Sequence, residues 1–367
     1  MNAPAFLPGL ELCRRFYAEA VRPLLEEAAP GLAHSAARIG AGSEVLGFDT
    51  ARSADHDWGP RLQLFLDPED VARHGARIDA LLSHRLPRTV HGFPTHFADT
   101  GEAGIGVMRA ADGPVRHGVE ITDPAAWFAA RLGFDPGEGV GTEDWLATPT
   151  QRLAEVTSGA VLHDGLGRIV PARTALDWYP HDLWLHLLAC QWRRISQEEA
   201  FVGRCAEVGD ALGSAVVAAR LVRDLMRLCL LMDRRYPPYA KWLGSAFART
   251  AGAPALAPHL TAALAATDPQ ERETYLGRAY GTVAALHNRL ALTDPVDPAT
   301  RPYHSRPYRV LRAERFADAL TARITDPAVR ALPVSGAVDQ FIDSTDVLTD
   351  PAATRAATRA VLGVPRP

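Results

Sequence analysis

The chain has almost no lysine. Of its 39 basic side chains only Lys241 is one, and the other 38 are arginine. Cysteine is scarce too: Cys13, Cys190, Cys205 and Cys229 are scattered, with no Cys-x-x-Cys pair. That excludes a zinc ribbon or a disulfide frame and reads as reduced, partly buried thiols. No apolar run approaches the ~20 residues needed to span a bilayer. The N-terminus has no basic segment followed by an apolar core, so it does not read as a signal peptide, and a cytoplasmic location is expected. Neither sign of charge dominates. A formal net charge of −4 gives no global field for nucleic acid or an anionic membrane. What remains is an ordinary globular composition, 47% apolar and 22% charged, long enough for two domains.

The apolar pattern changes character along the chain. Leu10 to Glu27 has helical periodicity and ends at Pro30-Gly31. Ala33 to Ile39 reads as a first strand, followed by a glycine turn from Gly40 to Ser43. Asp55 to Trp58 and Arg61 to Leu66 read as one strand region, interrupted by Gly59-Pro60. Asp67-Pro68 starts a helix, Val90 to Phe97 and Val115 to Thr122 are strand-like, and Asp123-Pro124 starts another helix. Val161 to Val170, around Asp164-Gly165, reads as a small hairpin. Helical patterns dominate afterwards, most clearly over Leu183 to Arg194, Gly213 to Asp233 and Glu271 to Leu290. The expectation is an α+β chain: residues 1–150 a mixed sheet with helices, residues 151–367 all helical.

Three carboxylates carry the chemical signal. On a strand, Asp55 and Asp57 share a face, because successive side chains alternate. Two such carboxylates can hold Mg²⁺, a hard cation that shares its oxygen ligands with phosphates. Gly42 lets the backbone approach a phosphate, and Ser43 adds a hydroxyl donor. Glu120 stands between Val119 and Ile121, so it faces away from the core. With strands ~4.8 Å apart the three carboxylates can converge, and the third can accept a proton from an attacking hydroxyl. Asp-x-Asp alone is common by chance; Gly-Ser upstream and an acid within Val119-Glu120-Ile121-Thr122 make the combination much rarer.

Gly42-Ser43, the loop to Ser53, and Asp55-His56-Asp57 resemble the signature of the DNA polymerase beta-like nucleotidyltransferases. In that superfamily the Gly-Ser turn holds the triphosphate and the two aspartates bind Mg²⁺. Val119-Glu120-Ile121-Thr122 resembles the strand that carries the catalytic base in streptomycin/spectinomycin adenylyltransferases. Those enzymes also have a C-terminal helical domain with a phosphate-contacting lysine. Tyr239-Ala240-Lys241-Trp242-Leu243-Gly244 is similar to that segment, and its lysine is the single one of this chain. Arg227, one helix earlier, resembles a helical arginine of the same enzymes. The chain as a whole also resembles a bacterial family of unknown function with a nucleotidyltransferase-like N-terminus. Two departures stand out: Gly59-Pro60 interrupts the strand after the Asp pair, and Ala240 replaces the serine before the lysine.

The resemblance implies transfer of a nucleoside monophosphate, AMP from ATP first, to a hydroxyl of a small molecule such as an aminoglycoside or specialised metabolite. Asp55 and Asp57 would hold Mg²⁺, Glu120 would be the base, and Gly42, Ser43, Lys241 and Arg227 would bind the nucleotide. Nucleotidylation of RNA or protein is a second reading; the acidic balance and the lack of a basic patch argue against RNA. A nucleotide sensor without turnover is a third. Elsewhere, Arg220, Arg223 and Arg227 share a helix face that a salt-bridged surface would equally explain. Asp182, Glu198, Glu199, Glu207 and Asp210 read as ion pairs or surface charges, or as receivers of a cationic acceptor. Trp178 and Trp184 could stack on a base or sugar but read first as core, and Asp339, Asp343 and Asp346 read as solvated.

Overall fold

The computed structural model describes residues 4–101 and 106–363. The chain divides into two units. One comprises residues 1–140 and 152–177, the other residues 141–151 and 178–367. The first is a small mixed sheet with helices; the second is predominantly helical. Among the described residues no helix is long and apolar enough to cross a membrane.

The first unit is built on four strands: β1 (Ser35–Arg38), β2 (Arg61–Phe65), β3 (Gly118–Thr122) and β4 (Ala160–Asp164). Their order is β3-β2-β1-β4. β1 runs antiparallel to both β2 and β4, whereas β2 and β3 are parallel. A parallel pair needs a crossover, and part of it here is the helix Pro68–Arg85. That helix starts where Asp67-Pro68 says it should, but the Asp67 carboxylate pairs with Arg168 at 3.0 Å rather than capping the helix. Asp123 does cap its helix, Pro124–Leu132, by accepting from the Ala126 N–H at 2.8 Å.

Alternation along the strands sorts the two sheet faces. Leu62 and Leu64 of β2 and Val119 and Ile121 of β3 pack into one core with Leu12, Phe16, Trp58 and Ile78. Gln63 and Glu120 lie between those residues and so face the other way, side by side in register. Phe65, on the same face as Gln63, meets Trp127 edge-on with ring centroids 5.8 Å apart. The side of the sheet that carries Glu120 is therefore backed by the helix that carries Trp127.

Three sequence expectations change. Asp55 and Asp57 are not on a strand. Ala51–Asp55 forms a short 3₁₀ turn held by local bonds: the Thr50 N–H donates to the Ser53 hydroxyl at 3.0 Å, the Ser53 N–H to the Thr50 carbonyl at 2.9 Å and the Arg52 N–H to the Thr50 hydroxyl at 3.3 Å. The strand begins only at Arg61, after Gly59 (φ +135°) and a proline without an N–H. Val161 to Val170 is not a hairpin: β4 pairs with β1, and the chain then turns into the helix Ile169–Ala175. Val90 to Phe97 is broken into the pieces Thr89–Val90, Phe93–Pro94 and His96–Asp99, with Gly92 at φ +85°.

In the second unit the long helices are α1 (His181–Glu198), α2 (Ala211–Met232) and α3 (Pro269–Arg289), with α4 (Glu314–Thr321) packed on α1. Trp192 of α1 stacks on Phe316 of α4 at 4.5 Å and donates its indole N–H to His287 of α3 at 3.2 Å. Trp184 is buried, as its core reading expected, and its indole donates to the Leu231 carbonyl at 2.8 Å.

Candidate functional site

An open cavity of about 610 Å³ lies within the first unit. Asp57 and Glu120 both line it, with five arginines: Arg38, Arg61, Arg116, Arg131 and Arg152. Asp57 is held in the left-handed region (φ +45°), which aspartate tolerates better than most residues. Its backbone N–H donates to the Gly106 carbonyl at 2.9 Å, and its Oδ1 accepts from the Gly106 N–H at 3.0 Å. The bonded loop edge thus fixes that carboxylate at the cavity wall.

Glu120 sits in a denser network. Its Oε1 accepts from Arg131 Nη2 at 3.0 Å. Its Oε2 accepts from Arg131 at 3.2 Å and from Gln63 Nε2 and Trp127 Nε1, both at 3.3 Å. Gln63 is itself fixed, its Oε1 accepting from the Ile39 N–H at 3.1 Å. The Arg131 guanidinium lies 4.0 Å from the centroid of the Trp127 ring.

Two of the lining arginines, Arg38 and Arg61, share a buried acid. Glu44, 1% exposed, accepts on Oε1 from both Arg38 and Arg61, at 2.7–3.1 Å. Burial works against its charge, but the two guanidiniums outweigh it and hold the Glu44 carboxyl below the usual range. Burial and the neighbouring Arg38 lower Arg61 from its ordinary value. Glu44 Oε2 is buried with no hydrogen-bond partner.

The other expected site residues are placed as follows. Asp55 is exposed and does not line the cavity; its Oδ1 accepts from the His56 N–H at 2.9 Å and lies 3.0 Å from His56 Nδ1. Gly42 and Ser43 lie beside the cavity-lining Ala41 without lining it themselves. Lys241 belongs to the helical unit, exposed in the first turn of the helix Ala240–Phe247, with its ammonium 5.0 Å from the Trp242 ring centroid. Arg227 belongs to the same unit and is buried, paired with Asp339 at 2.9 Å. Asp339 is therefore not solvated: its Oδ2 also accepts from the Thr150 N–H at 3.1 Å; Asp343, 3.9 Å from Arg223, and Asp346 are exposed, as expected. The acids of α1 and the segment after it have local work too. Glu198 pairs with Arg220 and Glu207 with Arg306, Asp182 accepts from the N–H groups of Thr325 and Asp326, and Asp210 caps Gly213.

Among the described residues no three His, Cys, Asp or Glu side chains come together so as to hold a metal ion. Asp57 alone of the Asp pair faces the cavity. Mg²⁺ is commonly bound through one or two carboxylates plus phosphates and water, so the donor chemistry of Asp57 suits it without a second carboxylate. Arg131, Gln63 and Trp127 were not singled out from sequence. The one available signal was the apolar alternation of β2, which puts Gln63 on the face opposite Leu62 and Leu64.

Residues 145–243, about a quarter of the chain, are similar to a family described as Domain of unknown function (DUF4037). That stretch includes Arg227 and Lys241 but none of Asp55, Asp57 and Glu120. No curated protein matches the chain.

Proposed function

We propose that the chain is a nucleotidyltransferase of the DNA polymerase beta-like kind, moving AMP from ATP to a hydroxyl of a small molecule. The observation that carries this reading is the shared cavity: Asp57 and Glu120 open on one space walled by arginines. Guanidinium forks match phosphate oxygens, and a carboxylate beside them suits a proton acceptor. The Gly42-Ser43 turn after β1, the Asp pair before β2 and an acid on the adjacent β3 add the order expected of that superfamily.

Mg²⁺, when bound, would neutralise phosphate charge; Asp57, which lines the cavity, would hold it, with Asp55 its expected partner on the resemblance alone. The chain's own groups do the rest. Arg116 and Arg131 hold phosphate oxygens at the cavity wall. Glu120 accepts the proton of the acceptor hydroxyl as its oxygen attacks the α-phosphorus and pyrophosphate leaves. Ser43 keeps its proposed role at the β- and γ-phosphates on the resemblance alone.

The test is pyrophosphate release from ATP and Mg²⁺ against a panel of hydroxylated small molecules. The wild type is expected to release pyrophosphate with at least one acceptor, and Asp57→Asn and Glu120→Gln to lose about a hundredfold or more of the rate. Equal turnover by both variants would overturn the assignment.

A further inference from the structure

We propose that Arg131 links phosphate binding to the release of Glu120 as a base; this rests on the reading of the cavity as a phosphate site. Every arginine of the wall starts with an acid partner. Arg38 and Arg61 share Glu44, whose side chain is 1% exposed; Arg38 is 3% exposed and Arg61 21%, so in that cluster the acid itself is closed off from the cavity. Arg152 pairs with Glu155, and Arg116 makes a long, exposed contact to Asp99 at 3.4 Å. Arg131–Glu120 differs, because both members line the cavity and both side chains are partly exposed, 28% and 43%.

The surroundings allow the pair to part without collapse. The Arg131 guanidinium rests on Trp127, which is 1% exposed and is gripped edge-on by Phe65 and Phe128. That platform stays when the carboxylate contact is given up. On the other side, Gln63 and Trp127 both donate to Glu120 Oε2 and keep the carboxylate in place. Oε1 has Arg131 as its partner among the described contacts. A phosphate oxygen is a charged acceptor of the same kind as the carboxylate, so it can take the guanidinium over. Oε1 is then opened toward the cavity, ready to take the proton of an acceptor hydroxyl. The base becomes available only once a phosphate is in place.

The probe is inorganic tripolyphosphate, titrated calorimetrically in EDTA so that no metal takes part. Wild type, Arg131→Met, Arg131→Lys and Glu120→Gln are compared, with thermal melting curves to show that each is folded. Arg131→Met is expected to bind about tenfold more weakly or worse, and Arg131→Lys to fall between. Glu120→Gln is expected to bind about two- to fivefold more tightly, because the guanidinium no longer leaves a charged partner. A structural pair would give the opposite: Glu120→Gln no tighter than wild type, or Arg131→Met no weaker, overturns the exchange while leaving the phosphate site standing. No binding by the wild type overturns the phosphate site itself, and the exchange with it.

Discussion

Gly42 shows how one residue can satisfy a signature for a reason the signature does not state. A Cβ on it would fall 2.5 Å from Arg38 Nη2 and 2.6 Å from Glu44 Oε2, and its φ is +155°. The glycine is demanded by the buried ion cluster, whatever it does for a phosphate. Gly42→Ala is expected to cost about 1–3 kcal/mol by overpacking, read from urea unfolding. An unchanged midpoint would show that the cluster can shift aside. Asp57 and Glu120 stood out in the sequence because their residue types are unusual where they stand, and both line the cavity. Arg131 was not legible: it is one of 38 arginines, and only the fold brings it across eleven positions to Glu120.

At the scale of elements, helix starts were read well and strand limits less so. Asp67-Pro68 and Asp123-Pro124 act through local stereochemistry, which the sequence states directly. The Asp55–Asp57 segment depended on a competition between strand pairing and the Thr50–Ser53 bonds, and the local bonds won. β4 was read as half of a hairpin because its partner, β1, lies more than a hundred residues earlier. Glu199 is a second case of a long-range partner. It ends α1, and its carboxylate accepts from the N–H groups of Leu311, Arg312 and Ala313 just ahead of α4, at 2.7–3.2 Å.

Burial, only partly offset by those N–H donors, raises the Glu199 carboxyl from 4.5 to about 7. The folded state therefore binds a proton that the unfolded chain releases. Its contribution to stability is fully present below pH 4.5 and is lost as the pH rises to about 7. Glu199→Gln removes this dependence. Unfolding free energies of wild type and variant, measured across that window, are expected to diverge with pH by up to about 1.4 kcal/mol per unit, the wild type falling relative to the variant. Parallel curves would mean that Glu199 does not hold its proton in the folded chain.

At the scale of the whole molecule, the expected split at residue 150 and the observed units differ in the middle stretch. Residues 152–177 belong with the sheet because β4 closes the free edge of β1, while residues 141–151 belong with the helices. Composition could not show this, since helical periodicity already dominates there. The similarity to the family of unknown function falls on this stretch and the helices after it, whereas the carboxylates fall outside it. The central claim, that the arginine-walled cavity takes the triphosphate of a nucleotide, is tested most directly by a crystal structure with Mg²⁺ and a non-hydrolysable ATP analogue. The account predicts phosphate oxygens within salt-bridge distance of Arg131 and Arg116, with Arg131 moved off Glu120. A nucleotide bound elsewhere, with the Arg131–Glu120 pair unchanged, would contradict it.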